Sequence, residues 1–306
     1  MADADGALIA TVPSLAATPR QVTPLPGGLT NRNYKVSTPD GTFVARIWSD
    51  PPGGGPGLLA INRDDEYRNS VIAAAAGVGA PVIEYRPQDR MLVLGFLPGA
   101  TYRNADVRDP ANLPRIAAAV RRLHGAGRFV SDFDMFEVQR RYRAAALAAG
   151  VTVPLGYDDL APALAAARAA LAVRAEPAVP CNNDLLAANL IDDGDKIWLI
   201  DYEYSGNNDP CFELGNIAGE CGLDADALAA LVTAYYGRAR RSRIARARLY
   251  TLVSQYGWTL WGALQHATSP LDFDFWSWAM TRFEAAAAGL TSPALAGLVA
   301  DVLEGD

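Results

Sequence analysis

Three polar residues at fixed spacing, Asp184, Asn189 and Asp201, constrain this chain more than any other feature. The first two lie in Pro180-Cys181-Asn182-Asn183-Asp184-Leu185-Leu186-Ala187-Ala188-Asn189-Leu190-Ile191, and the third in Trp198-Leu199-Ile200-Asp201-Tyr202-Glu203-Tyr204. Between them Asp192-Asp193-Gly194-Asp195 is a Gly-containing turn flanked by apolar segments, which predicts a hairpin. Folding about that turn brings Asn189 to Asp201 at the open end, with Asp184 just upstream and facing the same space. Amide and carboxylate oxygens placed together suit hard cations, which prefer oxygen to nitrogen or sulfur.

A glycine-rich loop lies far upstream, in Leu25-Pro26-Gly27-Gly28-Leu29-Thr30-Asn31-Arg32-Asn33-Tyr34-Lys35-Val36, after the strand-like Gln21 to Leu25. Adjacent glycines let the backbone approach a phosphate with no Cβ in the way, and free N–H groups then bind its oxygens. Thr42-Phe43-Val44-Ala45-Arg46-Ile47-Trp48 reads as a third strand with a cation inside an apolar run, and Glu66 falls on the helical pattern that follows. An Asp, an Asn five residues on and a further Asp beyond a hairpin form the catalytic-loop spacing of protein-kinase-like phosphotransferases. There the first Asp accepts a hydroxyl proton, the Asn and second Asp hold magnesium, and a strand cation on the phosphates pairs with a helix Glu.

On these residues the chain resembles the choline/ethanolamine kinase family, within the wider aminoglycoside-phosphotransferase-like group, from about Leu25 to Phe283. Further matching elements are Asn62-Arg63 with Glu66, Ile200-Asp201-Tyr202-Glu203-Tyr204, Glu213-Leu214-Gly215-Asn216 with Glu220, and Trp258-Thr259-Leu260-Trp261. The resemblance implies an α+β, bilobal protein-kinase-like fold. A small antiparallel-sheet lobe over 1–98 would bind nucleotide, and a larger, mostly helical lobe over 99–306 would carry catalysis and the acceptor.

The resemblance also implies ATP and Mg2+ as cofactors. Gly27, Gly28, Thr30, Asn31, Arg46 and Glu66 then face the nucleotide, Asp184, Asn189 and Asp201 are catalytic, and Asn189 and Asp201 are the magnesium ligands. Trp258 and Trp261 match the family's choline-binding tryptophans, Trp278 an aromatic cage position, and Glu203 a carboxylate near the ammonium. A quaternary ammonium has no N–H to donate, so aromatic faces and nearby negative charge recognise it. Phe273, Phe275 and Phe283 are expected in the core. The implied reaction is phosphorylation of choline to phosphocholine. Another amino alcohol such as ethanolamine, a thiamine-like compound or an aminoglycoside stays open as acceptor. One departure, Asn182 where the family carries His, keeps open a nucleotide-binding pseudokinase.

Composition narrows the class further. A net charge of −7 and a pI near 5.0 argue against a nucleic-acid surface or an anionic membrane partner. Cys181, Cys211 and Cys221 lack paired zinc spacing and read as reduced thiols. The acidic opening Met1-Ala2-Asp3-Ala4-Asp5 does not resemble a signal peptide, so a cytoplasmic enzyme is expected, with a homodimer left open. His124 is expected as a helix-terminal structural residue, Asp209 and Glu213 as helix N-terminal acids or carboxylates near the site. Helices are expected near 60–77, 110–125, 135–149, 157–174, 211–220, 224–238, 242–266, 271–288 and 292–303. Pro51-Pro52-Gly53-Gly54-Gly55-Pro56-Gly57 suits neither helix nor strand.

Overall fold

The structure is a computed structural model that describes residues 2–48, 59 and 61–306, so the connector expected over Pro51 to Gly57 lies outside the described residues. Short apolar alternations build the first layer. Strands β1 (Gln21–Leu25), β2 (Asn31–Thr38), β3 (Gly41–Trp48), β4 (Val82–Arg86) and β5 (Met91–Gly95) form an antiparallel sheet in the order β1-β2-β3-β5-β4. Central β3 is buried from Ala45 to Trp48, as a strand flanked on both edges and covered on its faces must be. Its register sets Arg46 between Asn33 of β2 and Leu92 of β5.

Helix α1 (Ala2–Ala10) closes one face, where Ile9, Val12 and Leu15 pack with Tyr34, Val36, Ala45, Ile47, Met91 and Val93 in a small separate core. Helix α2 (Arg63–Ala75) crosses between β3 and β4. Its expected start near 60 is trimmed because the Asn62 side chain accepts from the N–H groups of Asp64 and Asp65 and so caps the first turn. Ala73 of α2 and the following Val78 pack into the second, larger core rather than the small one.

The rest is mainly helical: after β6 (Ala100–Thr101) come α3 (Asn104–Arg108), α4 (Leu113–His124), α5 (Met135–Ala148) and α6 (Ala161–Val173). Strands β7 (Val179–Cys181), β8 (Leu190–Asp192), β9 (Ile197–Leu199) and β10 (Gly206–Asn208) precede α7 (Pro210–Cys221), α8 (Ala225–Tyr236), α9 (Arg241–Thr268), α10 (Phe275–Leu290) and α11 (Ala294–Glu304). β8 and β9 form the expected hairpin, with β6 added at its edge, while β7 pairs with β10. The helix expected from 271 starts instead at Phe275, because the Asp274 carboxylate accepts from the Ser277 N–H.

Helix α9 is the axis of the larger core, buried along most of its length. Gly215 permits α7 to cross it closely, since a Cβ there would meet the carbonyl of Ala247. Phe275 is buried and Phe283 packs against this core, as expected, but Phe273 is an exposed side chain. Among the described residues no single helix is long and apolar enough to cross a membrane, and all three cysteines are buried free thiols.

Candidate active site

The polar loop between β7 and β8 is held from beneath by one carboxylate. Buried Glu213, in the first turn of α7, accepts from the backbone N–H groups of Asn182 at 2.8 Å and Asn183 at 2.7 Å. His124, at the C-terminal end of α4, stands 3.9 Å from that carboxylate and bonds Tyr235 through Nδ1. Fixing two adjacent amides in this way forces an unusual backbone. Asn183 adopts φ 67 and uses its amide to donate to the carbonyls of Tyr204 and Gly206. Left-handed φ at a non-glycine residue persists only where surrounding bonds impose it.

Asn182 ties this loop to the strand end that carries Asp201. Its Nδ2 donates to the carbonyls of Ile200 at 3.0 Å and Asp201 at 2.9 Å, while its Oδ1 accepts from the Asp184 N–H. Asn189 Nδ2 donates to the Asp184 carbonyl at 2.8 Å, which leaves Oδ1 as the side chain's acceptor atom. The Ile200 N–H donates to the Asn189 carbonyl, so the backbone brings Asn189 and Asp201 to the same open end of the hairpin. Asp201, like Asn183, has a left-handed backbone with φ 66.

Across the cleft, Gly27 and Gly28 both turn through positive φ, at 92 and 89. A Cβ on Gly28 would lie 2.8 Å from the Asn31 carbonyl, so this turn requires glycine. Arg46 is buried and reaches three acids: Nη2 donates to Asp201 at 2.5 Å and to Glu203 at 3.0 Å, and Nε pairs with Glu66 at 3.3 Å. Arg63 adds a second cation, donating to Glu66 at 2.6 Å and to Glu203 at 3.1 Å. Thr30 Oγ1 and Asn31 Nδ2 also donate to Glu203, each at 2.9 Å. Glu203, expected beside an acceptor, is therefore turned toward the glycine loop and engaged by four side chains.

Charge is unbalanced here. Two guanidinium groups face the three acids Glu66, Asp201 and Glu203, so the cluster keeps an excess negative charge. Burial pushes the Asp201 carboxyl up to about 6 against the pull of Arg46. Burial likewise opposes ionisation of Glu203, yet Arg46 and Arg63 hold it below the usual carboxylate range. Asp184 is raised well above that range by burial and by Glu220, Asp201 and Glu203, with Arg282 opposing. The spare oxygen donors of Asn189 and Asp201, together with the acid excess, fit a divalent hard cation such as magnesium.

The aromatic residues gather along α9 and α10. Trp258 and Trp261 are buried on α9, and their indole N–H groups donate to Asn216 at 3.1 Å and to the Tyr204 hydroxyl at 2.8 Å. Tyr204 stands edge-on to Trp258, and Trp261 packs against Trp278 of α10 with ring centroids 5.1 Å apart. The guanidinium of Arg282 lies over Trp278, 3.2 Å from its centroid, and is paired with Glu220. That face of Trp278, expected open to an ammonium group, carries a cation of the chain itself. Arg63 and Arg282 escaped the sequence reading as site residues. The motif Asn62-Arg63 was visible for the first, but a lone Arg on α10 gave no signal.

The sequence profile described as the phosphotransferase enzyme family matches residues 21–249. A choline/ethanolamine kinase family protein from Mesorhizobium loti has a similar solved structure, with a TM-score of 0.86, 30% identity and 99% coverage of both chains. Choline kinase LicA from Streptococcus pneumoniae shares the fold with a TM-score of 0.78 at 21% identity, covering 94% of this chain and 99% of that one. Rat ethanolamine kinase 2 is 28% identical over an alignment of 262 residues that covers 74% of this chain. The matched region spans just under two thirds of that relative's own length, 65%.

Proposed function

The chain belongs to the phosphotransferase enzyme family, and from that premise we propose that it transfers the γ-phosphoryl group of ATP to the hydroxyl of a small amino alcohol, choline first among them. The observation that carries the proposal is the convergence of Asp184, Asn189 and Asp201 opposite the glycine loop and Arg46. Asp184 orients the acceptor hydroxyl and takes its proton. The backbone N–H groups of the Gly27-Gly28 turn and the Arg46 guanidinium receive phosphate oxygens. Asn189 and Asp201 would hold magnesium, which when bound neutralises charge on the β- and γ-phosphates. Phosphoryl transfer asks mostly for positioning and charge stabilisation, and a cleft built from fixed loops meets that demand.

Glu203 then serves the nucleotide side, holding Thr30 and Asn31 of the loop against Arg46 and Arg63. On the acceptor side Trp258, Trp261 and Trp278 supply aromatic surface and Glu220 supplies negative charge. The division into a nucleotide-binding part, 1–98, and an acceptor-binding part, 99–306, belongs to the same proposal. Ethanolamine is the second reading. Arg282 covers a face of Trp278, which favours an ammonium that can donate hydrogen bonds to carboxylates over one that needs open aromatic faces.

A coupled ADP-release assay over choline, ethanolamine, thiamine and an aminoglycoside tests both. Turnover is expected with an amino alcohol, and the ratio of kcat/KM for choline and ethanolamine selects between the readings. Asp184→Asn should keep ATP binding but lose about 10²-fold or more in kcat. Turnover with none of the acceptors, alongside measurable ATP binding, would instead favour a nucleotide-binding pseudokinase.

A further inference from the structure

A cavity of about 130 Å³ lies apart from the catalytic cleft, where the end of α6, the start of α9 and the end of α11 meet. Four arginines line it: Arg174, Arg240, Arg243 and Arg246. Arg246 is 2% exposed, and its Nη1 is buried without a hydrogen-bond partner, as are the Nε atoms of Arg240 and Arg243. Buried charged donors left without acceptors are costly, so three of them on arginines that line one void point to a missing acceptor.

Acids in the neighbourhood offset only part of the charge. Asp306 lines the cavity and accepts from Ser242 N and Oγ, Glu176 pairs with Arg243, and Asp209 pairs with Arg246. Three carboxylates against four guanidinium groups leave a cationic excess. The first turn of the 28-residue helix α9 adds the positive end of its dipole at the same place. Water would satisfy the orphaned N–H groups but would not answer the charge. Guanidinium groups match tetrahedral oxyanions through paired, charge-assisted hydrogen bonds.

We infer that this cavity is a binding site for a phosphate group, either inorganic phosphate or the phosphate end of a small phosphomonoester. Arg240, Arg243 and Arg246 supply the buried donors, and Arg174 closes the outer rim. The site is separate from the one that receives ATP, and neither Arg174 nor Arg240 touches that machinery.

Isothermal titration calorimetry with sodium phosphate, at constant ionic strength and with ADP and Mg2+ saturating, tests the inference. One phosphate per chain is expected under these conditions. Arg240→Gln should weaken its affinity about tenfold or more, because it removes a charge-assisted donor. Arg174→Gln, at an exposed position, should weaken it less and serves if Arg240→Gln fails to fold. A parallel titration with glycerol 3-phosphate, a phosphomonoester that is not a product of the proposed reaction, separates the sources: binding of both ligands, each weakened by Arg240→Gln, means the phosphate end of an ester enters, and binding of inorganic phosphate alone means a closed site. Circular dichroism and the ADP-release rate of both variants should match wild type. No phosphate binding at matched ionic strength would mean a water-filled cavity. Binding that ADP abolishes, or that survives both substitutions unchanged, would belong to the catalytic cleft. Each of those results overturns the inference.

Discussion

The residue that departs from the family pattern does the holding that its position demands. Asn182 fastens the Asp184 loop to the Asp201 segment through two donated bonds and one accepted bond, so loss of an imidazole there does not by itself unmake the site. Asn182→Ala strands two carbonyls and the Asp184 N–H. Its expected cost is about 1–3 kcal/mol of stability, with a fall in kcat larger than any change in KM for ATP. Asn182→His should fold and stay active. Urea denaturation with steady-state kinetics checks both, and an Ala variant with unaltered stability and kcat would remove Asn182 from loop support. The placement of Asp184, Asn189 and Asp201 together was legible in sequence because it follows from spacing along one hairpin. The side to which Glu203 turns was not, because left-handed φ at Asp201 redirects the chain just before it. Glu213 was left open between a helix-end acid and a site carboxylate, and it is both an acid of α7's first turn and the anchor of the loop amides.

At the scale of elements, periodic segments were legible and partner-dependent ones were not. Strands near 21–25 and 42–48 and the long helices follow from apolar spacing that each segment carries within itself. The pieces β6, β7 and β10, each two or three residues long, exist because a neighbour pairs with them, and so does little α3 beside α4 and α7. Helix α1 is of the second kind, since Asp5 fastens it to the sheet. Its carboxylate accepts from Arg32 Nε at 2.7 Å and from the Tyr34 hydroxyl at 2.6 Å. The Arg32 hydrogen bond, with Tyr34 assisting and burial opposing, holds Asp5 below its ordinary value of 3.8. A depressed carboxylate stabilises the fold above its unfolded value and loses that contribution as pH falls through the folded one. Asp5→Asn should therefore cost about 1 kcal/mol near neutral pH, a figure reduced for the partly exposed Arg32. The gap from wild type should narrow at a pH well below 3.8, where the depressed carboxylate takes up its proton. Urea midpoints at the two pH values decide it, and a gap independent of pH would mean that Asp5 acts through packing alone.

The molecule as a whole is two hydrophobic cores of unequal size joined across a polar cleft. Helix α2 supplies part of that junction through apolar contact, since it follows β3 while Ala73 and the following Val78 sit in the larger core, and the ionic cluster supplies the rest. Glu203, from the segment after the β8–β9 hairpin, takes donors from Thr30, Asn31, Arg46 and Arg63, all of which precede β4 in the chain. One side chain thus sets where the glycine loop stands relative to Asp184. Glu203→Gln keeps the shape but turns an amide toward two guanidinium groups and removes one charge from their compensation. Breaking a buried ion pair by deleting one partner costs about 3–5 kcal/mol, though relief of the acid excess around Asp201 works the other way. The loop should lose its fixed position before either core melts. The expected result is a KM for ATP raised about tenfold or more, the equivalent of about 1.4 kcal/mol, with a smaller change in KM for the acceptor. Unfolding followed by far-UV circular dichroism and by tryptophan fluorescence should cease to coincide, because two cores less firmly joined no longer melt as one. Unchanged KM for ATP with coincident transitions would show that the apolar contact alone holds the two cores in register.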